Sequence, residues 1–188
     1  MNEFQPSSKR HFWKMLHSEY LQRKFNKTPI WMINRRKRLF NKWMGEVKGP
    51  IYSVFSPFYA SYGKNTTVGA NFFTNINCII MDYEKVVIGD NVWLGPNVSI
   101  LTVSHPMNAF DRRVREYDDS FEPKGRGNKE YVSPVTIGDD VWIAAGSVIC
   151  AGVSIGSRSV IGAGSVVTRN IPGGVFACGV PARVVRKI

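Results

Sequence analysis

The sequence predicts an all-β solenoid, a left-handed parallel β-helix of hexapeptide repeats, with a short α-helical N-terminal segment and an extended inserted loop. An aliphatic residue recurs every six residues at Ile137, Ile143, Ile149, Ile155, Ile161 and Val167. The same repeat occurs earlier at Ile88, Leu94 and Ile100. A period of six matches neither an amphipathic helix nor a two-faced strand. It fits a chain that turns a corner after each short strand and points one aliphatic side chain inward per corner.

The repeat also sets the expected boundaries. Three hexads form one turn, and stacked turns cover each other's inward faces, which a single turn cannot bury. Parallel strands joined by such tight corners wind left-handed, an exception to the right-handed crossover rule. We expect the solenoid over residues 68–172, a loop inserted at 106–134 where the repeat breaks, and a tail at 173–188. A loop of that length in a compact domain is usually functional or disordered.

Residues 1–50 are predicted to form a basic helical segment, followed by an aromatic-rich lead-in at 51–67. Phe12, Leu16 and Tyr20 fall four apart, which predicts one apolar stripe on the first of two short helices. We expect both helices to pack on the rest of the protein, with attachment to a membrane surface as the alternative.

The second helix is predicted to start at Thr28-Pro29, with Thr28 as its N-cap and Pro29 in the first helical position. Apolar residues then alternate at spacings of three and four, interrupted by a run of basic residues from Arg35 to Arg38. Gly45 closes this pattern.

The net charge of +11 lies almost entirely in the N-terminal segment. Residues 1–50 hold 12 Lys and Arg against 3 acidic residues, so their net charge is +9. Such a segment suits an anionic membrane, an acidic glycan or nucleic acid, or it is simply a solvated helical face. Only charge favours nucleic acid, because the sequence has no zinc spacing and no recognised nucleic-acid motif.

Three cysteines, Cys78, Cys150 and Cys178, have no metal-like spacing and are odd in number, which argues against a disulfide framework. No apolar run approaches the ~20 residues that cross a bilayer. The first ten residues lack the apolar segment of a signal peptide. We therefore expect a cytoplasmic protein, with membrane association as an alternative.

His105 is the histidine best placed for chemistry. It lies in Thr102-Val103-Ser104-His105-Pro106, where a turn of the solenoid stops and the inserted loop departs. A side chain held by a rigid strand beside a loop is well placed for function. An imidazole can take a proton near neutral pH, so His105 is a candidate general base.

Five segments in order resemble the hexapeptide-repeat O-acetyltransferases, the group that contains maltose, galactoside and nodulation-factor acetyltransferases. They are GANFFTN at 69–75, IGDNV at 88–92, SHP at 104–106, PVTIGDDVWI at 134–143 and GVPARV at 179–184. The resemblance implies a homotrimer with active sites between subunits and acetyl-CoA as co-substrate, with no metal. His105 matches the catalytic histidine, which removes a proton from an acceptor hydroxyl while that oxygen attacks the thioester directly.

The resemblance also assigns binding residues. Asn75 matches an acceptor-binding asparagine, Asp82 falls in a nearby acidic position, and Phe73 occupies an aromatic position beside the acceptor. Residues matching positions around coenzyme A are Trp142, Ala145, Ala163, Thr168, Arg169 and Arg183. Trp142 could instead simply cover a face of the prism, and the two alanines could be small because the corners are tight.

Two departures from the family pattern fall on the acceptor side. Tyr83 follows Asp82 where many members have a second acid, and the loop after His105 is longer than in maltose-type enzymes. With the basic residues 1–50, these departures favour a glycan or polysaccharide precursor over a simple maltose or galactoside. The alternatives are a xenobiotic acetyltransferase on the same fold and a non-catalytic trimeric scaffold. A metal-dependent hydratase is excluded, because it needs several histidine ligands and the repeat region offers one.

Overall fold

The computed structural model describes residues 2–4, 9–112 and 129–188. The helices are α1 (Lys9–Lys27), α2 (Ile33–Trp43) and α3 (Ala109–Arg112). The strands in chain order are β1 (Asn2–Phe4), β2 (Glu46–Val47), β3 (Ser53–Val54), β4 (Phe58–Ala60), β5 (Thr66–Val68), β6 (Phe73–Thr74), β7 (Cys78–Met81), β8 (Val86–Ile88), β9 (Trp93–Leu94), β10 (Ser99–Leu101), β11 (Val103–Ser104), β12 (Glu130–Val132), β13 (Val135–Ile137), β14 (Trp142–Ile143), β15 (Val148–Ile149), β16 (Ser154–Ile155), β17 (Val160–Ile161), β18 (Val166–Val167), β19 (Val175–Gly179) and β20 (Ala182–Lys187).

Three sheets form the walls of a parallel β-helix, and the chain visits them in rotation. Sheet 1 contains β2, β5, β8, β13 and β16, and sheet 3 contains β4, β7, β10, β15 and β18. Sheet 2 contains β3, β6, β9, β14, β17, β19 and β20. Neighbours within a sheet are parallel except for β19 and β20, which are antiparallel. The predicted solenoid is confirmed.

The predicted inward-facing aliphatic residues form the core. All nine residues of the six-residue repeat are 0–2% exposed: Ile88, Leu94, Ile100, Ile137, Ile143, Ile149, Ile155, Ile161 and Val167. Strand register stacks them in columns; for example, Leu94 lies opposite Ile143 and Ile143 opposite Ile161. One side chain per hexad therefore fills the prism.

A second six-residue repeat marks the corners. Residues at positive φ recur at Asp140, Gly146, Gly152, Arg158 and Gly164, and earlier at Asn71, Asn77, Asn91 and Asn97. Glycine enters this left-handed region without a steric penalty, and asparagine and aspartate enter it more readily than other side chains. The corner residues also bind one another, since Asn71 Nδ2 donates to Asn91 Oδ1 at 3.0 Å and Asn91 Nδ2 to Asp140 Oδ1 at 2.9 Å.

The solenoid begins earlier and ends later than predicted. β2 pairs with β5, β3 with β6 and β4 with β7, so the lead-in at 51–67 belongs to the first turns and the predicted start at 68 is too late. The predicted tail at 173–188 adds β19 to sheet 2, and β20 folds back on β19. The end turns contain few aliphatic residues at the six-residue spacing, so the repeat did not predict that these segments belong to the solenoid.

Helix α1 packs on the solenoid with a different face from the predicted one. Phe12, Leu16 and Tyr20 are 54%, 39% and 52% exposed, so the predicted apolar stripe faces outward. The buried face carries Ser18 and Leu21, which are 1% and 2% exposed, together with Phe25. Ser18 Oγ donates to the carbonyl of Ala60 at 3.0 Å and accepts from Trp43 Nε1 at 2.7 Å. These bonds join α1, α2 and the first turn of the solenoid.

Helix α2 begins at Ile33, after a turn, and not at the predicted Thr28-Pro29. Thr28 Oγ1 donates back to the carbonyl of Lys24 at 2.7 Å, so Thr28 closes α1 and does not cap α2. No helix in the ranges that the structure describes is both long and apolar enough to cross a membrane.

Arg36 locks the two helices onto the solenoid. Its Nη1 donates to the carbonyls of Phe25 and Thr28 at 3.2 and 2.7 Å. Its Nη2 donates to the carbonyl of Val54 at 2.7 Å and to Ser56 Oγ at 2.9 Å. The guanidinium lies 4.1 Å from the centre of the Phe25 ring, and burial lowers the pKa of Arg36. One side chain thus bonds to three separate segments.

Candidate active site

His105 lies at the corner between sheets 3 and 1, where the chain leaves the solenoid. β10 continues through Thr102 into β11, and His105 follows directly. Buried Thr102 anchors this exit because its Oγ1 donates to the carbonyl of Met81 at 2.7 Å and its own carbonyl accepts from Ser133 N at 2.9 Å. Pro106 is buried on the other side, while His105 itself is exposed. The imidazole therefore extends to solvent from a fixed backbone.

Glu130 is the carboxylate beside His105, and sequence reasoning missed it. β11 pairs antiparallel with β12, and Ser104 lies opposite Tyr131, so His105, one residue beyond β11, comes near Glu130 at the start of β12. Burial raises the pKa of Glu130, and electrostatic attraction to His105 partly offsets that rise. Its Oε2 is buried and has no hydrogen-bond partner among the described residues. Oε2 is thus free to accept an N–H bond.

An aromatic cluster lies behind this pair, on the side of the N-terminal strand. β1 pairs antiparallel with β12, and Phe4 lies opposite Glu130. The Phe4 ring packs edge-on against Tyr83 at 5.6 Å, and Tyr83 packs edge-on against Tyr62 at 5.3 Å. Burial and the nearby charges of Glu130 and Asp82 raise the pKa of Tyr83. Neutral tyrosine therefore occupies the position where the family pattern leads us to expect an acid.

Asp82 is buried in the same region. Its residue exposure is 0%, and its carboxylate accepts hydrogen bonds from Tyr62 N at 2.8 Å, Asn65 N at 3.2 Å and Thr66 Oγ1 at 3.0 Å. Burial raises the pKa of Asp82 against the effect of these donors. The carboxylate holds the turn of chain around Tyr62–Thr66 and exposes no surface to an acceptor.

Asn75 lies at a different corner, between sheets 2 and 3, and Phe73 lies on β6 just before that corner. Both are half-buried; Asn75 Oδ1 accepts from Ile76 N at 2.8 Å, and Asn75 N donates to the carbonyl of Leu94 at 2.9 Å. The strands of sheet 3 separate this corner from that of His105. One copy of the chain therefore does not bring Asn75 and His105 together.

Four of the six predicted coenzyme A residues lie at the same two corners. Ala145 and Ala163 stack at the Asn75 corner, in the column of the next residue, Ile76, with Gly164 N donating to the carbonyl of Ala145 at 2.8 Å. Half-exposed Trp142 lies beside them on sheet 2. Exposed Thr168 and Arg169 follow β18 at the sheet 3 to sheet 1 corner, above His105. Arg183 is exposed on β20. Each copy thus carries two vertical rows of predicted site residues.

Other chemistries find little support in the described residues. Burial raises the pKa of the Cys78 and Cys150 thiols, which disfavours the reactive thiolate. Within residues 2–4, 9–112 and 129–188, no three His, Cys, Asp or Glu residues are grouped as metal ligands.

Comparisons with known proteins agree with this architecture. Residues 134–169 match the family model described as bacterial transferase hexapeptide (six repeats). The galactoside O-acetyltransferase of Escherichia coli K12 is 40% identical over 175 residues, covering 93% of this chain and 79% of that protein. Nodulation protein L of Rhizobium meliloti is 43% identical over 141 residues, covering 75% of this chain and 69% of that protein.

The chain belongs to the hexapeptide-repeat acetyltransferases. A maltose O-acetyltransferase from Clostridium difficile 630 superposes with a TM-score of 0.88 at 38% identity, covering 100% of this chain and 92% of that one. A galactoside acetyltransferase in complex with coenzyme A superposes with a TM-score of 0.86 at 36% identity, covering 100% and 86%. The protein is therefore an acetyl-CoA-dependent acetyltransferase with a left-handed parallel β-helix.

Proposed function

We propose that this acetyltransferase moves the acetyl group from acetyl-CoA to a sugar hydroxyl, with His105 as general base. The observation that carries the proposal is the approach of the Glu130 carboxylate to His105, just beyond the Ser104–Tyr131 pair, at the point where the solenoid opens into a loop. The family membership supplies the co-substrate. The names of the relatives support a carbohydrate acceptor, since they include galactoside and maltose O-acetyltransferases.

The proposed reaction is a single direct transfer. A nitrogen of His105 takes the proton of the acceptor hydroxyl while the oxygen attacks the thioester carbon, because an alcohol is a weak nucleophile until that proton is removed. The tetrahedral intermediate collapses, the carbon–sulfur bond breaks, and the leaving thiolate recovers the proton from the imidazolium. Glu130 orients the imidazole and stabilises its positive charge, as a carboxylate does beside a histidine base.

The proposed site forms between copies of the chain in a homotrimer. Rotation about an axis along the solenoid would bring the corner row that contains His105 in one copy beside the corner row that contains Asn75 in the next. Each groove then has Asn75, Ala145 and Ala163 on one wall and His105 on the other. Holding both reactants in that groove converts their encounter into a near-unimolecular step.

We assign the coenzyme to the upper part of this groove. Trp142, Ala145 and Ala163 would line the pantetheine arm, and the small alanines leave backbone groups open to its amides. Thr168, Arg169 and Arg183 would meet the nucleotide end, where cations suit phosphates. Asn75 and Phe73 would contact the acceptor lower down. Asp82 is left out of the acceptor site because it is fully buried.

The acceptor is proposed to be a glycan or polysaccharide precursor and not a simple monosaccharide. Tyr83 replaces an acid near the site, and its neighbours Phe4 and Tyr62 make that wall aromatic. The residues of the longer loop between 113 and 128 lie outside the described residues, so their part in acceptor binding stays a prediction. Arg112 at the start of this loop donates from Nη1 to the carbonyl of Pro106 at 2.7 Å.

We also propose peripheral contact of the N-terminal helices with an anionic membrane, in a cytoplasmic enzyme. The outward face of α1 carries Phe12, Trp13, Leu16 and Tyr20, of which Trp13 is 67% exposed. Exposed aromatic residues beside many Lys and Arg residues are typical of helices that lie on a membrane surface. The compartment must also contain acetyl-CoA, which a cytoplasmic location supplies.

Thiol release from acetyl-CoA tests the proposal, with neutral, amino and acidic sugars as acceptors. The wild-type protein should release thiol only with an acceptor, and His105→Ala should lose ~10²-fold or more of that rate, the contribution of a positioned base. His17→Ala, which alters an exposed histidine on α1, is the matched control. Turnover of aromatic drug hydroxyls but no sugar would favour the xenobiotic alternative. Absence of both turnover and acetyl-CoA binding would favour a scaffold.

A further inference from the structure

Three aromatic rings contact one another on the outer face of sheet 2, in successive turns of the solenoid. The rings of Tyr52 and Trp93 are nearly parallel, at an interplanar angle of 14° and a centroid distance of 6.1 Å. The Phe73 ring contacts both, at 5.9 Å from Tyr52 and 5.4 Å from Trp93. We call Tyr52, Phe73 and Trp93 the aromatic platform.

The platform is open to solvent in the single copy. Tyr52 is 67% exposed and Trp93 50%, whereas Phe73 is half-buried between them. Strand register fixes their order, because Ser53 lies opposite Phe73 and Phe73 opposite Trp93. The Trp93 backbone lies between paired strands on both sides, and the Tyr52 backbone is held on one side by the hydrogen bond from Tyr52 N to the carbonyl of Phe72.

The platform is continuous with the proposed acceptor site. Phe73 and Asn75 are two residues apart, one on β6 and one at the corner that follows it. In the next turn upward, Trp142 pairs with Trp93. The platform therefore continues downward, along sheet 2, from the side of the groove proposed to bind the coenzyme. An acceptor whose reacting hydroxyl lies near Asn75 would therefore place its remaining part over Tyr52, Phe73 and Trp93.

We propose that the aromatic platform binds a further pyranose ring of an oligosaccharide acceptor and sets the preference of the enzyme for chains over single sugars. The inference rests on the proposed function. A pyranose ring has a flat C–H face, which carries partial positive charge and is attracted to the negative face of an aromatic ring. The exposed rings of Tyr52 and Trp93 lie within 14° of parallel, an arrangement that suits a flat C–H face.

The test compares matched sugars of one and three units. Thiol release is measured with glucose against maltotriose and with N-acetylglucosamine against chitotriose, for the wild type, Trp93→Leu and Tyr52→Ser. Trp31→Leu is the matched control, because Trp31 is 78% exposed in the turn between α1 and α2, outside the platform. Binding of each trisaccharide is measured separately by calorimetry, and oligomer mass by native mass spectrometry.

The proposal predicts that the wild type prefers the trisaccharide of at least one pair. Trp93→Leu should lower kcat/KM for that trisaccharide by about fivefold to tenfold, the scale of one aromatic stacking contact, and leave the monosaccharide and acetyl-CoA constants unchanged. Equal effects on both sugar lengths, or no effect, would overturn it. So would a Trp93→Leu protein of lower oligomer mass, which would make the platform an interface between copies.

The two proposals fail in different ways. Suppose that the wild type binds a trisaccharide, that Trp93→Leu abolishes this binding, and that no sugar is turned over. This result would support the platform and overturn the proposed transfer to sugars. If the monosaccharide is turned over faster than the matched trisaccharide, and Trp93→Leu changes neither rate, the transfer to sugars is supported and the platform is overturned. Absence of both binding and turnover would overturn both.

Discussion

Ser104 lies directly opposite Tyr131 in the antiparallel ladder between β11 and β12. This register places Glu130 beside His105, although the two residues lie on opposite sides of the inserted loop. β1 pairs with the other edge of β12, where Phe4 lies opposite Glu130. The N-terminal strand, the strand after the loop and the strand before His105 therefore form one three-stranded sheet outside the solenoid.

Glu130→Gln should lower kcat by about tenfold or more and leave acetyl-CoA binding unchanged, because the glutamine cannot stabilise the imidazolium as a carboxylate does. Steady-state thiol release and calorimetric acetyl-CoA binding measure the two quantities. Glu46→Gln, which alters an exposed carboxylate on β2, is the control and should keep wild-type kcat. An unchanged kcat in Glu130→Gln would refute the orienting role.

The sequence was sufficient for the solenoid but not for the partner of His105. Ile137, Ile143 and Ile149 repeat a local signal, and each repeat needs only its neighbours to bury its aliphatic side chain. Glu130 carries no such signal, because its role depends on strand pairing across a loop that the repeat leaves out.

Helix α1 shows the same limit in another way. Phe12, Leu16 and Tyr20 have helical spacing, and so do Ser18, Leu21 and Phe25. The more polar of the two faces is buried, because Ser18 bonds to both Trp43 and Ala60. Packing partners distant in sequence decided between the faces, which periodicity alone cannot do.

Arg36→Met should lower the free energy of unfolding by about 2–4 kcal/mol, because it leaves buried carbonyl oxygens without donors while keeping much of the side-chain volume. The carbonyls of Thr28 and Val54 each lose a 2.7 Å hydrogen bond that Arg36 donates in the wild type. Urea unfolding measures the change. Arg35→Met, at an exposed neighbour, should change the free energy of unfolding by less than ~0.5 kcal/mol. Equal stability of the two variants would contradict the structural role of Arg36.

Asp82→Asn should lower the free energy of unfolding by about 2 kcal/mol. The amide NH2 of asparagine would face the backbone N–H and hydroxyl donors that bond to the Asp82 carboxylate in the wild type. Asp140→Asn, at an exposed corner position, should cost less than ~0.5 kcal/mol. Both variants are compared with the wild type by thermal and urea unfolding.

The effect of Asp82→Asn should also depend on pH. Burial raises the pKa of Asp82, so its protonated form favours the folded state. That stabilisation is complete below the ordinary carboxyl value of about 3.9 and is lost as pH rises through the raised value in the folded protein. The stability advantage of the wild type over Asp82→Asn should therefore shrink as pH rises from about 4. An advantage that grows over this range would contradict the direction of the shift.

The outward face of α1 should bind vesicles of phosphatidylcholine that contain phosphatidylserine, and bind less as salt rises, because charge and apolar contact act together. A Phe12→Ser, Trp13→Ser double variant should sediment with these vesicles more weakly than wild type. Tyr59→Ser, which removes an exposed aromatic ring from the solenoid, is the control. Sedimentation with neutral vesicles to the same extent, or no loss in the double variant, would reject the membrane surface.

The central claim is that His105 of one copy and Asn75 of another form one site, and mixing two inactive variants tests it most directly. His105→Ala and Asn75→Ala proteins are unfolded together, refolded as mixed oligomers and assayed for acceptor-dependent thiol release. Random assembly makes about a quarter of the sites from an intact His105 and an intact Asn75, so the mixture should regain up to about a quarter of wild-type activity. Native mass spectrometry checks that mixed oligomers have formed. If they have, and the mixture shows only the summed residual activity of the two variants, the shared site is contradicted.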